Sequence, residues 1–236
     1  MDDLTVSSRV MTQEQIEELQ RSFVVKVFGW MMSGLLLTGA FAMMVSSSPS
    51  IMHAIGANPI IFFGLMIAEL GLVIWLTARI AKMSAMTATM VFIGYSILTG
   101  VTLSVIFLAY TAASIGSTFF VTAATFGVMY AYGSMTRRDL TSMGSFMMMG
   151  LVGVIIASVV NMFLQNETVY WITTYISIFI FVGLTAWDAQ KIKGMSAAAL
   201  GDAETEQKTA IVGALALYLD FINLFLLLLR VMGKRK

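Results

Sequence analysis

Residues 210–232 read AIVGALALYLDFINLFLLLLRVM, an apolar run broken near its middle by Asp220. About 20 apolar residues are enough for a helix to cross a bilayer, so this run predicts a membrane-spanning helix. A carboxylate at the centre of such a helix costs roughly 2.5–3.5 kcal/mol on insertion scales, whereas each Leu or Phe returns about 0.3–0.6 kcal/mol. The helix still inserts, but its acid needs a partner, a proton or water. An ionisable group at that depth is a functional candidate by default.

The apolar pattern recurs at 23–45, 60–78, 86–107, 114–132, 145–164 and 170–187, which with 210–232 predicts seven transmembrane helices. Charged residues make up 11% of the chain, against roughly 25% in a soluble domain. The expected fold is therefore an all-α membrane protein, one helical bundle in the lipid bilayer. Residues 1–22 form a polar segment, 23–232 the bundle and 233–236 a basic tail. Thr12 and Gln15 resemble a capping box, predicting a short amphipathic helix over 13–26 that runs into the first span. The acidic, polar N-terminus gives no sign of a signal peptide.

Pro49 and Pro59 fall in the first loop, so no span is expected to carry a proline kink. Ala123/Gly127/Ala131 and Gly153/Ala157 mark faces suited to close helix packing. Spans one to three and four to six suggest two triplets, with the seventh alone, although no repeated motif accompanies them.

The basic residues sort to one side. Arg9, Arg21 and Lys26 precede the first span, Arg79 and Lys82 follow the second, Arg137 and Arg138 the fourth, and Lys191, Lys193 and Lys208 the sixth. The loops after spans one, three and five carry no Lys or Arg, so the positive-inside rule places the N-terminus in the cytoplasm. Lys234, Arg235 and Lys236 break the pattern if the seventh helix crosses fully, which is the expected arrangement.

A net charge of +1 argues against a nucleic-acid partner. Without cysteine, and with His53 the sole histidine, thiolate and His-rich metal sites are excluded. His53 is expected in the first loop, and the 20 methionines as gap-fillers between helices. Residues 210–232 contain no lysine for retinal, no Gly-x-Gly-Asp pattern is present, and broken helices of the transporter kind are not visible. No enzyme activity and no resident cofactor are expected.

Glu69, Arg79, Asp188 and Asp220 are the ionisable groups that matter at depth. Asp188 and Asp220 meet only if the seventh helix starts in the cytoplasm, with residues 210–216 partly outside the bilayer. Two carboxylates close together in a low dielectric cannot both ionise easily, so they share a proton that a cation can replace. Calcium prefers six to eight oxygens; Asp188, Asp220, Glu69 and Asn223 offer few, so a site here is weak and suited to passage. Asn223 shares a helix face with Asp220. Plainer readings stand beside these: Asp188 as a solvated helix-end acid near Lys191, Asp220 bonded to Tyr95, Tyr132 or Asn161, and Glu69 as a protonated packing group.

TAWDAQKI at 185–192 and ALYLDFINLFLLLLR at 216–230 resemble the last two helices of the transmembrane Bax-inhibitor-motif family, particularly its bacterial inner-membrane branch. AELGL at 68–72 and the span count also fit. The resemblance implies two three-helix layers around a central C-terminal helix. It further implies a pH-sensitive calcium (cation) leak gated by Asp188 and Asp220, with Arg79 as the candidate latch. Here the polar stretch SAAALGDAETEQK between the acids looks longer than in compact relatives. Bacterial relatives are also linked to membrane proteases, which implies a second function: binding and restraining another membrane protein.

Overall fold

The computed structural model describes residues 13–198 and 202–236; Thr12, and with it the expected capping box, lies outside them. Among the described residues, seven helices are long and apolar enough to cross a membrane: Glu17–Ser46, Pro59–Lys82, Ala85–Ala109, Ala112–Met135, Thr141–Leu164, Glu167–Ser196 and Ala203–Met232. All seven expected spans are present. Large apolar side chains such as Leu36, Ile67 and Phe163 stand 70%, 70% and 78% exposed, as lipid-facing residues must in a bundle whose solvent is hydrocarbon.

Helix α1 (Gln13–Ser46) is continuous, so the expected amphipathic segment is simply its first turns. Both prolines sit at helix starts: Pro49 opens the short α2 (Pro49–Ala57) and Pro59 opens α3 (Pro59–Arg79). The first helical turn has no use for proline's missing N–H, so neither kinks a span. His53, expected in a loop, is on α2 and exposed. A 3₁₀ turn, Ile80–Lys82, leads to α4 (Ala85–Leu103), capped by Ser84 accepting from Thr87 N. The short α5 (Ile106–Ala109) finishes the third span. Next come α6 (Ala112–Met135), capped by Thr111, and α7 (Thr141–Leu164). Helix α8 (Glu167–Ala198) and α9 (Ala203–Met232) complete the chain.

Helix α9 is central. It packs against α1, α4, α6 and α8 and is buried around most of its circumference from Ala210 to Leu229, as a helix apolar on every side should be. Helices α1, α3 and α4 form one layer and α6, α7 and α8 the other; in each, the last helix of the triplet packs against both earlier ones. The two three-helix layers around the C-terminal helix are thus present.

Close packing uses different glycines from those expected. A Cβ at Gly127 or Gly153 would meet nothing within 4 Å. A Cβ at Gly133 would collide with the backbone of Ala186, and one at Gly144 with the ring of Trp187. The correction has a simple cause: four-residue spacing marks a face, but only the partner helix decides which face it meets.

The polar stretch after the sixth span is mostly helix, not loop. Helix α8 runs to Ala198 and α9 starts at Ala203, so the connection is short. Asp202 caps α9, accepting from Glu204 N and Thr205 N. Its bonds from the Thr205 side chain and backbone hold the Asp202 carboxyl below the usual carboxylate range. A depressed carboxylate contributes its stability above its unfolded value and loses it as pH falls through the folded one, so this cap is intact at neutral pH and fails only in strong acid.

Polar bonds tie one end of the bundle together. Lys26 Nζ pairs with Glu206 Oε1 at 3.0 Å, Lys208 Nζ donates to Met83 O at 3.3 Å and Lys193 Nζ to Ser134 O at 3.4 Å. The opposite end holds the tail: Lys236 N donates to Ala109 O and Thr111 N to Lys234 O, each at 3.1 Å. The seventh helix therefore crosses fully, and its basic tail lies at the far end.

Candidate functional site

The segment AWDAQ is held residue by residue. Ala186 lies against Gly133 of α6 and Trp187 against Gly144 of α7. Gln190 clamps the connection between those helices, its Oε1 accepting from Leu140 N and its Nε2 donating to Arg138 O, both at 2.8 Å. Asp188, between these anchors, is aimed at α9. Its carboxyl faces that of Asp220. Lys191, one turn further along α8, faces Asp188 electrostatically and lies 5.0 Å over the Trp187 ring.

Asp220 is 4% exposed, and its Oδ2 receives no N–H or O–H from the rest of the protein. Ionised carboxylates only accept hydrogen bonds, so two facing carboxyls can bond each other only when one carries a proton. Helix α9 is already helical from Ala203, and its packing on α8 brings the two acids together. None of the other partners weighed for Asp220 reaches it. Tyr95 faces Tyr218 with ring centres 5.7 Å apart, Tyr132 is 48% exposed, and Asn161 Oδ1 accepts from Asn166 N at 3.0 Å.

Between α7, α8 and α9 lies a cavity of about 600 Å³, lined by both acids together with Ser158, Ser177, Asn223 and Arg230. Asn223 Nδ2 donates to Leu219 O at 2.8 Å, leaving its oxygen as the acceptor. Arg230 was not singled out from sequence. Its Nη1 donates to Thr174 Oγ1 at 3.1 Å and its guanidinium lies 4.8 Å over the Tyr170 ring. The signal was there: Asp220, Asn223, Leu227 and Arg230 follow the 3-4-3 spacing of one helix face.

A second polar cluster lies around the helix from the first. Tyr218, two residues before Asp220 and so turned to the other side, is fully buried. Its hydroxyl meets Thr38 Oγ1 at 2.6 Å, and Thr38 also bonds Ser96 O at 2.8 Å. Glu69 of α3 faces Thr102, Tyr95 and Tyr218, while its Oε1 is buried without a donor. Glu69 is thus separate from the aspartate pair. Tyr218→Phe is expected to lower stability by about 0.6 kcal/mol, and by no more than about 1.7, the range for hydrogen bonds between membrane helices. Thermal unfolding in detergent measures this; a loss several times larger would show that the hydroxyl organises more than its own bond.

Arg79 is exposed at the end of α3, a helix packed mainly on α4. Among the described residues the ion pairs are Lys26–Glu206 and Lys208–Glu204, so Arg79 holds neither aspartate. No three of His, Cys, Asp and Glu gather to hold a metal among the described residues.

Seven helices long and apolar enough to cross a membrane, six of them arranged around the C-terminal one, with two acids facing each other between the last two, define a helical membrane protein with a buried acid pair. The family model described as inhibitor of apoptosis-promoting Bax1 matches residues 20–236. Inner membrane protein YbhL of Escherichia coli K12 is 49% identical over 217 residues, covering 92% of this chain and 93% of that protein. A Borreliella burgdorferi protein is 45% identical over 227 residues (96% and 98%), and RP147 of Rickettsia prowazekii 44% over 236 (99% and 97%). The chain belongs to the Bax inhibitor family.

Proposed function

We propose that this chain is a pH-sensitive passive calcium leak in a bacterial inner membrane, gated by the proton shared between Asp188 and Asp220. The observation that carries the reading is Asp220 Oδ2, buried without a donor and facing a second carboxyl. In the closed state one proton bridges the acids. Its loss leaves two adjacent carboxylates that repel in a low dielectric, loosening α8 from α9 and exposing two oxygens to a cation. The cation passes into the cavity toward Asn223 and Arg230. No covalent step is assigned. With the basic end of the bundle cytoplasmic by the positive-inside rule, the gate lies nearer that side and the Arg230 mouth nearer the outside.

The sign of the pH response follows: flux is low in acid, where the bridge is protonated, and rises as pH increases. Calcium influx into proteoliposomes, titrated against pH, tests this. Asp188→Asn and Asp220→Asn are each expected to change the flux and flatten its pH profile. A wild-type response retained in both variants would overturn the gate.

A second reading is a regulator that binds and restrains another membrane protein, such as a quality-control protease. It is favoured by the exposed polar start of α1, where Glu14, Glu17 and Glu18 face outward. Deleting residues 1–20 would then abolish capture of a co-reconstituted partner and leave flux intact. Capture that survives the deletion removes this reading.

A further inference from the structure

The connections at the tail's end of the bundle, residues 47–48, 110–111 and 165–166, carry no Lys or Arg. The tail brings three there: Lys234, Arg235 and Lys236, all exposed. They are seated, not trailing. Lys234 N donates to Ser114 Oγ at 2.9 Å, Arg235 bridges Tyr110 through its backbone, and Lys236 Nζ donates to Phe107 O at 2.8 Å. Among the described residues none of the three is in an ion pair.

Phe107 also lines an apolar groove of about 300 Å³ between α1, α4, α6 and α9, which includes Leu103, Ile115, Phe120, Ile222 and Phe225. Phe120 is 75% exposed, so the groove opens sideways to hydrocarbon. A cationic rim thus sits directly above an apolar slot, and a phospholipid with a net negative headgroup has the matching shape and charge. Basic clusters beside a membrane helix attract anionic headgroups, and here the cluster is fixed by backbone bonds. We propose that the C-terminal tail and this groove form a binding site for one anionic phospholipid, its headgroup on Lys234, Arg235 and Lys236 and an acyl chain along the groove. The site is distinct from the aspartate pair and does not depend on the leak reading.

Native mass spectrometry of the full chain in detergent with equimolar phosphatidylglycerol and phosphatidylcholine tests it. Wild type is expected to retain phosphatidylglycerol preferentially, by about fivefold for each basic residue engaged. Arg235→Gln, which keeps every hydrogen bond seating the tail, lowers that preference about fivefold, and the triple change of Lys234, Arg235 and Lys236 to Gln removes it. Gly39→Leu with Gly116→Leu, both positions free of neighbours within 4 Å of a Cβ, fills the groove and lowers retention of both lipids. Equal retention of the two lipids by wild type, a preference unchanged in Arg235→Gln, or displacement of the lipid by millimolar inorganic phosphate would each overturn the proposal.

Discussion

Asp220→Leu is expected to make the protein more stable and to abolish the pH response of its calcium flux. Asp220 is almost fully buried and one of its oxygens has no donor, so folding carries an uncompensated polar group. Replacing a buried ion pair with apolar residues of similar volume is often neutral or stabilising by about 1–4 kcal/mol, and removing one partner is costly only where it strands the other as a buried charge; the cavity beside Asp220 gives the larger side chain room. Asp188 is only partly buried and faces Lys191, so it tolerates losing its partner. Thermal unfolding in detergent and the flux titration are to be read together. A variant less stable than wild type would mean that the acid pair is a structural tie, and the gating argument would lose its basis. The stability given up to keep an acid at this depth is the physical sign of function.

Gly133→Val is expected to cost about 1–3 kcal/mol or more, the penalty of overpacking a tight contact. The colliding atoms belong to the backbone of Ala186, which cannot rotate away as a side chain would. Helix α8 must shift bodily, and with it Asp188, two residues on. The flux profile should therefore change along with stability. Gly127→Val, on the same helix where a Cβ meets nothing within 4 Å, is the control and should fall within about 0.5 kcal/mol of wild type. Equal unfolding temperatures for the two variants would refute the close α6–α8 approach.

These two predictions also separate what could be read early from what could not. The paired acids were visible because each interrupts a long apolar helix, and their residues carry the family likeness. Their contact was open in the sequence; the packing of α9 against α8 decided it. Gly133 and Gly144 carried no distinguishing spacing, while Gly127 and Gly153 did and proved to have nothing within 4 Å of a Cβ. Arg230 shares Asp220's helix face, but a spacing alone did not reveal that a cavity connects them. Arg79 attracted notice by charge and position, yet its helix is packed on α4 and leaves it exposed.

Seven crossings, the sorting of basic residues to one end and the rarity of acids at depth were determined by the chain alone. Bilayer thickness and the cost of burying charge act on short stretches of sequence, so local composition is enough to read them. Which faces meet was decided only by the tertiary structure. Helices in lipid gain little from hiding apolar surface from one another, so their contacts rest on shape, small residues and a few hydrogen bonds contributed by distant segments. The facing acid pair, the cavity it lines and the seat of the basic tail all arise at that level.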